Sequence, residues 1–403
     1  MKKERILKKL VSMLLMMTLV ISLTSCSSKK SDKPDEIKLG MLFDFSGSMV
    51  AFDTACYNGA KLAIKEINEA GGIKGAKIVT VEEDYASDVT KTMEKAKKLI
   101  LEDKVVATVG GAFTFYAQSE FEQDNGLLLY PIYYQGEIDY DNMVTTGFVP
   151  NQQSFYLLDY LLKNVGKSYY LLGSDYEYPL VSFNQAKKII GDAGGSVVGE
   201  EYVPLGDSDF SSVLNKIKEA HPDVVYTAFA GESLFAFHKQ LEAIGWDFND
   251  IKIASLTLDD MCCYSLPVNG IAGTYVSFPY LTAIDTPANK EFVAAYLKEY
   301  GADSYDSLCE GTEESYTIVK MLAKALEKTD DYSTKGIMKA FKGIEIETPA
   351  GKVKMDEDNL HTWYTPIIGQ VNSEGKIGIL ETGDSLVQPE PWSKLLYPDG
   401  APK

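Results

Sequence analysis

The chain has 403 residues, 45% hydrophobic and 24% charged, a composition that suits an ordinary globular protein of two or more domains. Its formal charge of −19 leaves no electrostatic footprint for nucleic acid, whose phosphates call for clustered Lys and Arg. Five cysteines, and three histidines far apart at His221, His238 and His361, form neither a disulfide framework nor a zinc pattern.

Residues 1–25 read as a signal peptide. Lys2, Lys3, Arg5, Lys8 and Lys9 make a basic start, and residues 10–23 an apolar run too short to span a bilayer with ease. Leu23-Thr24-Ser25-Cys26 has the form of a bacterial lipobox, in which Cys26 is diacylated after cleavage. The removed segment carries five basic residues and one acidic one, so its loss takes the charge from −19 to −23. So acidic a surface is repelled by anionic headgroups, and the acyl chain rather than surface adsorption would hold it at the membrane. Residues 26–36 (CSSKKSDKPDE) are polar and aperiodic, as in a flexible tether. Of the remaining cysteines, Cys56, Cys262, Cys263 and Cys309 are expected to be buried thiols, with room for one bridge in an exported protein.

From residue 37 the pattern alternates strand and helix. Residues 37–43 predict a strand ending in a Ser46-Gly47-Ser48-Met49 loop, 58–70 an amphipathic helix, 77–81 a strand and 90–101 a helix. Residues 105–109 are a β-branched run without alternation, as in a strand covered on both faces. Gly110-Gly111 then allows a sharp turn into a helix over 112–118, and 127–129 forms the next strand. Phe113, Thr114, Tyr130, Tyr133 and Tyr134 sit at these two strand ends, where ligands bind in open α/β sheets.

A second unit follows Pro150-Asn151-Gln152-Gln153. Its strands are expected at 168–172, 196–202 and 224–228, with helices at 154–165, 182–193, 210–220 and 234–244. Its tips carry Asp175, Tyr176 and Tyr178, then Glu232 and Ser233. Later helices over 288–299 and 313–326 should return to the first unit, and the chain should then cross again. The fold class is therefore α/β, with two doubly wound, mainly parallel sheets facing each other across a cleft.

Searches for catalytic motifs come up empty. No G-x-S-x-G elbow is present, Gly166-Lys167-Ser168 lacks the distal Gly and the strand–helix order of a phosphate loop, and Asp356-Glu357-Asp358 lacks the frame of a calcium loop. No enzyme, metal or cofactor is expected.

Several stretches resemble a family. The lipobox, the tether and two lobes joined by several crossings resemble a type I periplasmic binding protein of an ABC importer. The Ser46-Gly47-Ser48-Met49 loop, Glu83-Asp84-Tyr85-Ala86-Ser87-Asp88, Tyr130-Pro131, Pro150-Asn151-Gln152-Gln153, Gly173-Ser174-Asp175-Tyr176-Glu177-Tyr178-Pro179, Asp285-Thr286-Pro287-Ala288-Asn289-Lys290 and Pro391-Trp392 are similar to its urea and short-chain-amide branch. Ala117-Gln118, Tyr133, Leu180 and Glu232 depart from that branch's pattern. The resemblance implies two lobes closing on a ligand, with three crossings at the hinge: residues 37–151 plus 277–348, and 152–276 plus 349–403. It also implies a cognate permease and ATPase as partners. The candidate ligand-binding residues are then Ser48, Met49, Ala112, Phe113, Thr114, Tyr130, Tyr133, Tyr176, Tyr178, Glu232 and Thr257. Urea has one acceptor oxygen and four N–H donors. Thr114 and the helix-start amides would meet the oxygen, and Tyr133, Tyr178 and Glu232 the donors. A branched-chain amino-acid binding protein and an exported sensor subunit are the alternatives.

Overall fold

The computed structural model describes residues 36–401; the expected signal peptide, lipidated Cys26 and all but the last residue of the tether lie outside the described residues. Strands β1 (Glu36–Phe43), β2 (Lys77–Asp84), β3 (Ala107–Gly110), β4 (Leu128–Tyr130) and β5 (Met143–Thr145) form one sheet in the order 2-1-3-4-5, parallel throughout. Every residue of β3, β4 and β5 is buried, which is why those segments do not alternate. Helix α1 (Val50–Glu69) follows β1, α2 (Val89–Lys98) follows β2, and α3 (Gln118–Gln123) precedes β4. Asp88 caps α2 by accepting from Lys91 N at 2.8 Å. After α1 the chain reverses through Gly71 and Gly72, at φ +106° and +76°; a Cβ on Gly72 would lie 2.1 Å from the Ala76 carbonyl oxygen.

The second sheet holds β6 (Ser168–Ser174), β7 (Ser196–Val203), β8 (Val224–Ala228), β9 (Lys252–Ser255) and β10 (Tyr275–Phe278), parallel in the order 7-6-8-9-10. Helices α4 (Ser154–Asn164), α5 (Glu177–Asp192), α6 (Ser211–Ala220), α7 (Glu232–Ala243) and α8 (Asp260–Ser265) lie between these strands in sequence, apart from α4, which leads into β6. Helix α5 begins five residues before the expected Ser182, since Pro179 fits a first helical turn, where its missing N–H goes unused.

The chain then builds α9 (Pro287–Tyr300), α10 (Glu310–Lys328), α11 (Thr334–Phe341) and a small antiparallel sheet of β11 (Glu345–Thr348), β12 (Gly351–Met355) and β13 (Thr362–Trp363). It returns to the second sheet as β14 (Ile367–Val371) and β15 (Ile377–Thr382), with β14 antiparallel to β10. The two-lobed α/β architecture and its three crossings are therefore as expected. Two expected boundaries need correction. The step at 276/277 would cut β10, which pairs with β14 along its length and with β9 at Tyr275 and Val276, and the step at 348/349 would split the β11–β12 hairpin. The crossings run instead through residues 145–154, 278–287 and 363–367. The first and third are tied together: Thr362 Oγ1 donates to Thr145 O at 2.9 Å, and Tyr364 OH to Thr146 O at 2.7 Å.

Candidate functional site

The tips of the first lobe converge on one carboxyl group. Asp53, in the first turn of α1, is fully buried and accepts from Asp44 N at 2.7 Å, from the Tyr85 hydroxyl and from Ala112 N at 3.4 Å. The ends of β1, β2 and β3 are thus held to a single side chain. Burial pushes its pKa up to about 7 despite those hydrogen bonds.

Around this anchor stand six of the expected site residues. Ser48 is exposed, and its hydroxyl donates to Ser87 Oγ at 3.1 Å. Met49 N donates to Asp44 Oδ2 and Ser87 Oγ, at 3.0 and 3.1 Å. Phe113 stacks on Tyr85 at 5.4 Å, and Tyr130 OH donates to Ala112 O at 3.4 Å. Residues 112–117 take the tighter 3-10 form of the expected helix, with Thr114 N donating to Gly111 O at 3.0 Å and the buried Thr114 hydroxyl donating to the same oxygen at 2.6 Å. That proton is committed within the turn, so Thr114 offers a ligand oxygen no donor.

A second group spans the lobes. Tyr133, just beyond β4, stacks on Phe148 at 4.9 Å and meets Tyr178, in the first turn of α5, edge-on at 5.5 Å. Tyr176 lies parallel to Tyr178 at 6.4 Å. Tyr178 OH donates to Gln153 Oε1 at 2.9 Å, and Gln153 Nε2 donates to Leu256 O at 2.9 Å. One residue of the first crossing therefore fixes the tips of β6 and β9. Tyr116 meets Phe113 edge-on at 5.7 Å and lies near enough to Tyr130 and Tyr176 to interact electrostatically with both.

The acids beside the rings are not the one expected. Glu232 is exposed at the start of α7, with no hydrogen bond or ring contact to the cluster among the described residues. Ligand atoms of Asp259, Glu310 and Cys309 instead lie within 4.8 Å of one another, and Tyr133 and Tyr178 lie near enough to Glu310 to interact with its charge. Asp259 is 5% exposed and caps α8, accepting from Cys262 N at 2.6 Å. Glu310, the first residue of α10, is 3% exposed and receives a bond only from its own backbone amide. Burial raises the pKa of both, and the charge of Asp259 raises Glu310 further. Thr257, two residues before Asp259, accepts from Phe229 N at 3.3 Å and supports this tip. The sequence signals for these acids were Asp259-Asp260 after an unplaced strand and the acidic opening of the 310–328 helix. Two surface hollows share no residue with the cluster: one of about 430 Å³ beside Glu122 and Lys335, one of about 480 Å³ beside Ile284 and Val293.

Rings and acids gather at the carboxyl ends of the strands of two sheets, the position at which open α/β folds hold small molecules. The comparisons agree. A family described as periplasmic binding protein domain matches residues 37–398. The Leu/Ile/Val-binding protein homolog 3 of Brucella melitensis is 27% identical over 80% of this chain and 88% of its own. The leucine-specific-binding protein of Salmonella typhimurium is 25% identical over 84% and 92%. Among solved structures, a solute binding protein of an ABC transporter from Rhodopseudomonas palustris BisB5, in complex with 3,4-dihydroxy benzoic acid, superposes with a TM-score of 0.80 at 26% identity. It covers 88% of this chain and 99% of that one. A branched-chain amino acid transporter substrate binding protein from Streptococcus pneumoniae, 23% identical and matching 88% and 100% of the two chains, shares the fold at 0.74. The chain belongs to the periplasmic binding protein family, whose members bind solutes rather than transform them.

Proposed function

We propose that this substrate-binding component of an ABC transporter captures a small, flat solute rich in N–H donors, urea or a short-chain amide, between its two lobes. The observation that carries the reading is the ring group of Tyr133, Tyr176 and Tyr178 set against Asp259 and Glu310. Rings cover the faces of a planar ligand, while carboxyl and phenol oxygens accept from its edges. Loss of one amine would strand an acceptor, at a cost on the order of 1–3 kcal/mol.

The relatives named for leucine favour a second reading, in which an amino acid's ammonium lies on the two acids. Its carboxylate would then depend on hydroxyls and backbone amides, because no basic residue is paired with the cluster among the described residues. Calorimetric titration of residues 27–403 separates the two. Urea is expected to bind at least about tenfold tighter than acetamide, a difference of about 1.4 kcal/mol, and leucine more weakly than either. A preference for leucine would overturn the reading.

The anchor is proposed from the lipobox. Cys26→Ala should leave the chain unlipidated and released from the membrane fraction, since no described helix is long and apolar enough to cross a membrane. Retention of that variant after signal cleavage would remove Cys26 from the role.

A further inference from the structure

Two carboxyl groups close together in a dry site cannot both carry charge unless a cation joins them. Asp259 and Glu310 are such a pair, 5% and 3% exposed, with ligand atoms within 4.8 Å. Asp259 comes from the tip after β9, and Glu310 from the start of α10 in the other lobe, so the pair forms only where the lobes meet. The groups around Glu310 include Asp259, Asp260, Cys262, Cys309, Tyr133 and Tyr178, which are acids, thiols and phenols. Neither carboxylate has an ion pair with Lys, Arg or His among the described residues. Glu310 is the more exceptional of the two, because no other residue donates to it. A buried acid in this state is aimed at something that arrives with the ligand.

We propose that the preferred ligand is a planar organic cation of urea's size, of the amidinium and guanidinium class. The inference rests on the reading of a flat, N–H-rich solute and specifies its charge. Guanidinium has urea's trigonal frame, with a third nitrogen in place of the oxygen. It therefore has no need of the donor that Thr114 fails to supply. Its six N–H groups match carboxylate edges in the fork geometry that joins arginine to acids. Its face is attracted to a tyrosine ring, and Tyr133, Tyr176 and Tyr178 provide such faces. Urea would make the in-plane contacts but leave the charge of the pair unmet.

The test is calorimetric titration of metal-free residues 27–403 with guanidinium chloride, acetamidinium chloride, urea and leucine at matched ionic strength, with zinc chloride in a separate arm. Guanidinium is expected to bind at least about tenfold tighter than urea. Glu310→Gln and, independently, Asp259→Asn, which retains an oxygen to cap α8, should reduce that ratio to about one. Retained thermal unfolding transitions would show that both variants fold. Urea binding as tightly as guanidinium or more tightly would overturn the cation assignment and leave the flat-solute reading standing. Leucine binding in the absence of all three small ligands would overturn both. Zinc binding that Glu310→Gln abolishes, without guanidinium binding, would reassign the pair to a metal ion and also overturn the proposal.

Discussion

Asp53 lies at the start of α1 with its carboxyl group sealed from solvent, and three donors from three different strand ends point at it. The hydrogen bonds favour the ionised form and burial opposes it; burial wins, and the pKa rises to about 7. The unfolded chain would titrate near 3.8. The folded state therefore keeps a proton that the unfolded state has lost, so the stability this group confers is complete below about pH 4 and declines as pH climbs to 7. That window corresponds to a few kcal/mol, on the order of 4 from the size of the shift. Asp53→Asn cannot titrate, and it must turn an NH₂ group towards one of the donors. The variant is expected to be less stable than the native chain at pH 5, by about 1–3 kcal/mol, with the gap closing towards pH 8. Thermal unfolding at the two pH values measures it. A deficit that stays constant with pH would mean that Asp53 is ionised throughout.

Elements were legible in the sequence where their own residues decide them. Strand β8 falls where expected, because Val224, Val225 and Tyr226 form a buried run that nothing interrupts. Strands β5, β9 and β10 were not assigned. They have only three or four residues each, and their order comes from paired neighbours, β4 alone for the edge strand β5 and a strand on either side for β9 and β10. The same distinction divides the site. Tyr133 and Tyr178, proposed for the site, follow strands that the sequence makes readable. Glu310 depends on how α10 packs against α1, some 250 residues earlier in the chain. That packing relies on Gly59, where a Cβ would lie 2.0 Å from the Thr312 carbonyl oxygen, so only glycine lets the first turn of α10 come so close. Gly311, in the first turn of α10, matches it from the other side, since a Cβ there would lie 2.7 Å from Cys56 Sγ in α1; neither glycine names its distant partner in the sequence. Glu232 follows a strand end that was read correctly, but at the start of α7 its side chain lies in solvent, apart from the rings.

Across the whole molecule, buried acids outnumber buried histidines, and the two act in opposite directions. Burial raises Asp53, Asp260 and Glu313 to about 7, and Glu314, whose two oxygens have no hydrogen-bond partner, moves upward as well. Each is stabilising when protonated; Asp53, Asp260 and Glu313 lose that contribution as pH rises from about 4 through 7, and Glu314 changes in the same direction. Burial lowers His238 and His361 to about 4, so they stabilise the fold when neutral and withdraw that support as pH falls from 6.5 to 4. His238 is held by Gly270 O at 2.8 Å and His361 by Tyr134 OH at 2.6 Å, which keeps both rings in place without a charge. Partly exposed acids such as Glu83, Asp84 and Asp223 have depressed pKa values, and their support fails only below about pH 4. A formal charge of −19 adds self-repulsion that eases as carboxylates take up protons. The thermal midpoint is therefore expected to be higher at pH 5.5 than at pH 8. Scanning calorimetry in low salt and in 0.5 M salt separates the two causes, because salt screens the surface repulsion but leaves the buried acids unshielded. A difference that survives salt belongs to the buried groups, one that vanishes belongs to the surface, and a higher midpoint at pH 8 would show that the histidines dominate.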